Sequence, residues 1–301
     1  MSLPVALTAI ALYAGEGRQE CTEAQALGRK AYEARQYNQA AQQFARALES
    51  CGGSAPLLLA LGQSQLLGRR PAEALTTLDR IPSSHAEYPA ALKVKAKALY
   101  LLRRDGEAVD ALKQAASRTP SDAEIPYDLG RIYYQLGRHA DAVAAFRQAT
   151  TLDARAYKAW DNLGLAMEAL GEVAEAKQHY LKALALVHKD HPNYDVVYAN
   201  FADLLIKQGD YPRAFDLAAE AAERNPDEPR NFFLAGKALV QLGRDDVSIK
   251  WLERATTLNP DYPEPLYVLA QVYRRLGRPD DAARTLKAFQ TANARTPRER
   301  R

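Results

Sequence analysis

Along most of this chain, large apolar residues return at the fourth, seventh, eleventh and twenty-fourth places of a unit 34 residues long. Leu92, Trp160, Tyr198 and Phe232 hold the fourth place, and Phe44, Leu112, Phe146 and Tyr180 the twenty-fourth. The resulting i, i+3, i+4, i+7 spacing is the stripe of an amphipathic helix, and two stripes per unit predict two helices. Small residues mark where those helices cross. The eighth place holds Gly28, Gly62, Ala96, Gly130, Gly164, Ala202, Gly236 and Ala270, and the twentieth holds Ala40, Ala74, Ala108, Ala142, Ala176, Ala214, Ser248 and Ala282. Helices approach this closely only where no bulky side chain intrudes. At the twenty-seventh place six units carry Ala, while Ile81 and Phe289 depart, so the second and last units are the least regular.

Punctuation agrees with the stripes. Gly137, Gly171, Gly209, Gly243 and Gly277 are placed to end first helices, and Pro120, Pro226 and Pro260 follow second helices. Pro89, Pro229 and Pro263 stand at first places, where a helix tolerates proline. Ser121-x-x-Glu124 reads as a capping box. Pro126 conflicts with a helix unless it falls in the first turn.

The sharpest copies read Leu129-Gly130-x-x-Tyr133 with Ala142-x-x-x-Phe146-x-x-Ala149, and Trp160-x-x-Leu163-Gly164 with Ala176-x-x-x-Tyr180-x-x-Ala183. In these spacings the chain resembles the tetratricopeptide-repeat proteins, built from 34-residue helix-turn-helix units. Eight units start at Cys21, Ala55, Pro89, Ala123, Tyr157, Asp195, Pro229 and Pro263, with four extra residues, His191 to Tyr194, between the fifth and sixth. They fill residues 21–296, between an apolar N-terminal segment (1–20) and a basic tail (297–301). The resemblance implies an all-α fold, a right-handed superhelical solenoid in which each unit buries its apolar face only against its neighbours. A length of 301 residues would otherwise predict about two domains.

Charge says little about partners. A formal net charge of +3 is too small to demand nucleic acid or an anionic membrane, and a nucleic-acid-binding solenoid, the alternative reading, needs a continuous basic stripe. Residues 3–14 form an uncharged run with the length of a signal-peptide core, with Ala9-x-Ala11 and Ala14-Gly15 as candidate cleavage steps, but no Lys or Arg precedes it. An export signal and an apolar cap on the first repeat both fit. It is too short to span a bilayer. The two cysteines, Cys21 and Cys51, sit at the first and thirty-first places of one unit, where a helical hairpin brings its ends together, so a disulfide is expected in an oxidising compartment and free thiols in the cytoplasm. A periplasmic or secreted protein is the favoured reading, a cytoplasmic one the alternative. Arg295, Arg298, Arg300 and Arg301 make the chain end basic.

No catalytic constellation stands out, and no cofactor or metal is expected. His188-x-x-His191 with Asp190 lacks a further ligand and reads as a polar turn. Ala235-Gly236-Lys237-Ala238 lacks the earlier Gly and the final Ser or Thr of a phosphate loop, and falls inside a helix. No His-Glu-x-x-His occurs.

What is left is surface. In the proteins it resembles, the first helix of each unit lines a concave groove that receives a peptide or helix, with the second, fifth, ninth and twelfth places facing it. Here those places supply Lys93, Lys97, Tyr100, Tyr127, Arg131, Tyr134 and Lys158, with Asn162 and Asn200 at sixth places. Cations, tyrosines and amides suit an acidic segment or a chain terminus, although the same residues also serve simply to solvate an inner face. Lys97, Asp128 and Asn162 depart from the carboxylate clamp with which the family recognises chaperone tails. The expected function is a non-catalytic protein-interaction scaffold, with a role in envelope or pilus assembly as a narrower form.

Overall fold

The computed structural model describes residues 5–295, and side-chain surroundings from Gln19 onward with Cys51 and Lys189 excepted. The described residues form sixteen α-helices and no strand. They divide into two compact units, with the chain boundary between Asp153 and Ala154. The first unit holds α1 (Val5–Glu33), α2 (Tyr37–Cys51), α3 (Ala55–Leu67), α4 (Pro71–Leu78), α5 (Tyr88–Leu101), α6 (Asp105–Arg118), α7 (Glu124–Gln135) and α8 (His139–Leu152). The second holds α9 (Tyr157–Ala169), α10 (Val173–Asp190), α11 (Val196–Lys207), α12 (Tyr211–Arg224), α13 (Pro229–Gln241), α14 (Asp245–Leu258), α15 (Pro263–Arg275) and α16 (Pro279–Arg295). In both, successive helices pair as hairpins, and each hairpin packs on the next.

The small eighth-place residues do what their size implies. A Cβ added at Gly130 would lie 2.6 Å from the Phe146 ring, and one at Gly236 would lie 2.7 Å from Leu252. The twenty-fourth-place side chain therefore occupies the space that the missing Cβ leaves. Phe146, Tyr180 and Leu252 are fully buried there, each worth about 1.5–3 kcal/mol relative to exposure.

The turn between the two helices of a hairpin needs a left-handed residue. In five hairpins it is glycine, for example Gly137 at φ 70° and Gly243 at φ 70°, but the first three use Arg35 (φ 57°), Arg69 (φ 62°) and Arg103 (φ 60°). A side chain there costs roughly 1–2 kcal/mol relative to glycine.

Two irregular stretches fall where the pattern weakens. α4 stops at Leu78, eight residues long, and Ile81 turns into the core ahead of Pro82, which cannot continue a helix. The four extra residues of the fifth unit do not make a longer loop: α10 runs 18 residues where α8 and α12 run 14, so the insertion is a further helical turn. Pro126 sits third in α7, within the first turn, where no intrahelical N–H is lost. The capping box does not form. The N-cap of α7 is Ala123, the Glu124 N–H donates to Asp122 Oδ1 at 3.0 Å, and the Glu124 carboxylate is drawn instead to lysines on α5.

No helix among the described residues is long and apolar enough to cross a membrane. The side chains of the apolar run at 3–14, and of Arg298, Arg300 and Arg301, lie outside the described residues. Arg295 closes α16 and pairs with Asp261 at 3.1 Å rather than joining a tail. Cys21 is disulfide-bonded, and the side chain of Cys51 is outside the described residues.

Candidate functional site

In the first unit, α5 and α7 carry six of the expected groove residues, and they divide into paired and open groups. Lys93 donates to Asp122 at 2.8 Å and to Glu124 at 2.7 Å, and Lys97 donates to Glu124 at 2.6 Å. Burial alone would lower both lysine pKa values, but the carboxylates more than offset it and the net shift is upward. Glu124 is held down at about 2, because the two ammonium groups outweigh its partial burial. The charge of Lys93 and Lys97 is thus largely balanced inside the molecule.

Asp128 lies beneath this array, buried, with Oδ2 at 3.4 Å from Lys97 Nζ in a geometry that makes no hydrogen bond. Burial raises its pKa against the pull of Lys97. Arg131 is the most open of these cations, its side chain 53% exposed, 3.9 Å from Asp128 Oδ1 and 5.9 Å from the Tyr127 ring centre. Tyr127 leans on Phe146 and Tyr134 on His139, so both rings are half core. Tyr100 and Lys97 join Leu66, Leu67, Leu101, Asp128 and Arg131 around a cleft of about 320 Å³. Leu67 and Leu101 are 45% and 57% exposed on its rim. Both leucines were absent from the expected site.

In the second unit the polar residues turn inward. Asn200 is buried, donates to Asp161 Oδ1 at 3.0 Å and accepts from Arg230 at 3.0 Å. The second oxygen of Asp161 accepts from the Tyr194 hydroxyl at 2.8 Å. Burial pushes Asp161 up to about 6, although these hydrogen bonds pull the other way. Asn231 donates to Asp195 at 2.7 Å, a parallel buried link one hairpin on. Asn162 spends its amide on the Lys158 carbonyl of its own helix, at 2.8 Å, and the Lys158 side chain is exposed.

The stretch around the extra helical turn is likewise built rather than a free polar turn. His191 stacks near Tyr157 (4.1 Å between ring centres), and Tyr157 meets Tyr194 edge-on at 4.8 Å. Arg224 lies over the Tyr198 ring at 4.3 Å and donates to the carbonyls of His188, His191 and Pro192. His188, Asp190 and His191 thus face different partners, and the described residues hold no group of three metal-ligating side chains. Gly236 packs on Leu252, a helix-crossing residue and not part of a phosphate loop.

Tetratricopeptide-repeat family models match residues 31–98, 130–171, 154–227, 200–263 and 263–288. The chain belongs to the tetratricopeptide-repeat proteins. Its fold recurs in a tetratricopeptide repeat protein from Parabacteroides merdae, at 16% identity and TM-score 0.63, covering 90% of this chain and 99% of that one. The APC/C hetero-tetramer Cut9-Hcn1 matches at 14% identity and TM-score 0.64 over 87% of this chain, which spans about half (51%) of the matched chain. YrrB, a tetratricopeptide-repeat protein with an unusual peptide-binding site, matches at 19% identity and TM-score 0.50, covering 62% of this chain and 94% of that one. At these identities the likeness concerns the fold. No enzyme family is among the family models that match, and no curated protein matches the sequence.

Proposed function

We propose that this tetratricopeptide-repeat protein is a non-catalytic scaffold that binds a protein segment across α5 and α7 of its first unit. One observation carries the reading: the cleft beside Arg131 is apolar-walled and open, and the ion pair of Arg131 is a distant one, 3.9 Å from Asp128, whereas the neighbouring lysines are paired at hydrogen-bond distance. Arg131 favours an acidic or carboxylate-bearing segment, since its guanidinium keeps donors to spare. The pairing of Lys93 and Lys97 with carboxylates leaves no continuous basic stripe on these two helices, which supports a protein partner over nucleic acid. YrrB, with its peptide-binding site, shares the architecture, and a peptide is the natural occupant of such a groove. Export to the periplasm, with Cys21 bridged to Cys51, is part of the same proposal, and envelope or pilus assembly is the narrower role it would serve.

A photoreactive phenylalanine analogue at Tyr134 tests the reading in the cell that makes the protein, with the same analogue at exposed Lys113 on α6 as control. A discrete protein adduct from position 134 and none from 113 is expected. Equal labelling from both positions, or none at 134, contradicts it.

A further inference from the structure

We infer that the cleft at the C-terminal ends of α3 and α5 reads one large aliphatic or aromatic side chain of the bound segment, with an acidic residue beside it on Arg131. The inference rests on the groove reading above and goes further by naming what the segment must present. Three observations point the same way. The thirteenth place of the eight repeats reads Glu33, Leu67, Leu101, Gln135, Ala169, Lys207, Gln241 and Arg275, so only the second and third repeats put a large apolar residue there. Those two leucines are not core: they stand 45% and 57% exposed on adjacent first helices and, unlike the other exposed leucines, border the same cleft, so they form one apolar patch rather than scattered single residues. The space they border, about 320 Å³, is at the lower limit of ligand pockets, room for a side chain rather than for a chain of them.

Charge sets the flanking residue. The lining carries Lys97 and Arg131 against Asp128. Lys97 is satisfied by Glu124, while Arg131, 53% exposed and joined to buried Asp128 only at 3.9 Å, keeps guanidinium donors available at the mouth. A segment that seats an aliphatic side chain between Leu67 and Leu101 brings its neighbouring residue to this guanidinium, and a carboxylate there gains a bidentate partner. A basic neighbour meets repulsion.

Random heptapeptides displayed on phage and selected on the immobilised full chain identify the segment. The best binder is then titrated by fluorescence anisotropy against the parent, Leu101→Arg, Leu67→Gln and Arg131→Glu, each checked for an unchanged helical spectrum. The selected peptides should share one Leu, Ile, Met or Phe next to Asp or Glu. Leu101→Arg should weaken binding about tenfold or more, as loss of a central anchor does, and Arg131→Glu by several-fold. Peptides that lose affinity with Arg131→Glu but not with either leucine variant overturn the anchor cleft and leave the groove standing. Peptides indifferent to all three variants, or no selected peptide, overturn both. A concentration-dependent dimer in sedimentation that Leu101→Arg dissociates means that a second copy covers the leucines, and overturns the inference too.

Discussion

The first helices of the two units use polar residues in opposite ways. In the first unit, Lys93, Lys97, Asp122 and Glu124 form ion pairs at the surface, with an open cleft beside them. In the second, Asp161, Asn200 and Asn231 are buried and joined to Tyr194, Arg230 and Asp195 by hydrogen bonds. Exposed ion pairs each stabilise by only about 0–1 kcal/mol and can exchange partners. Buried networks are costly to break because each lost partner strands a desolvated group. Polar residues of the first helices thus form ion pairs near the surface in one unit and buried hydrogen bonds in the other, and one repeat position, the fifth, holds Lys93 in the first case and Asp161 in the second.

The disulfide carries the largest expected effect. A bridge between Cys21 and Cys51 would close a loop that chain-entropy arguments value at about 3–4 kcal/mol, so reduction should destabilise the first unit and leave the second unchanged. Intact mass after alkylation decides the pairing: no alkyl group without reductant and two with it are expected in exported material.

Next comes the buried network. Asp161→Ala removes the acceptor of the Asn200 amide and of the Tyr194 hydroxyl and should cost about 2–4 kcal/mol in denaturant unfolding, whereas Lys93→Ala, at partly buried ion pairs of the first unit, should cost less, about 1 kcal/mol. Equal losses would erase the distinction between the two faces.

Acid should separate the units by sign. Asp161 titrates near 6 when folded and near 3.8 otherwise, so its folded state holds the proton more tightly. Its contribution is fully present below pH about 4 and is lost as pH rises through 6. Glu124 runs the other way: lowered from 4.5 to about 2, it stabilises above pH 4.5 and ceases to do so as pH falls towards 2. Between pH 7 and 4, Asp161→Asn should abolish a gain in stability on acidification. Below 4.5, Glu124→Gln should abolish a loss.

The turns give the smallest effect. Arg103→Gly relieves a left-handed side chain and should stabilise by about 1 kcal/mol, while Gly243→Arg should cost about as much. A melting temperature unmoved by either would mean that these turns relax freely.

Most of the fold was legible because packing is periodic. The eighth and twenty-fourth places announce a helix crossing, and Gly130 against Phe146 realises it. Polar roles were harder to read, since they depend on which partner lies across the hairpin. Nothing local tells that Asn200 turns to Asp161, 39 residues away, or that Glu124 leaves its own cap for Lys93 and Lys97. Leu67 and Leu101 are hard to read for a different reason. A leucine near a helix end resembles core until its exposure is known, and the available signal was the polar or small residue at the same place in the other repeats. The four-residue insertion looks like loop in the sequence because its length shows while the helical hydrogen bonding of α10 does not.

Matched charge reversals test the central claim most directly, one on each unit. Arg131 and Lys158 are both exposed cations on first helices. Titration of the selected peptide should show affinity reduced several-fold or more by Arg131→Glu and unchanged by Lys158→Glu, with both variants retaining the parent's helical spectrum. Loss of binding in Lys158→Glu with full affinity in Arg131→Glu would place recognition on the second unit and contradict the account.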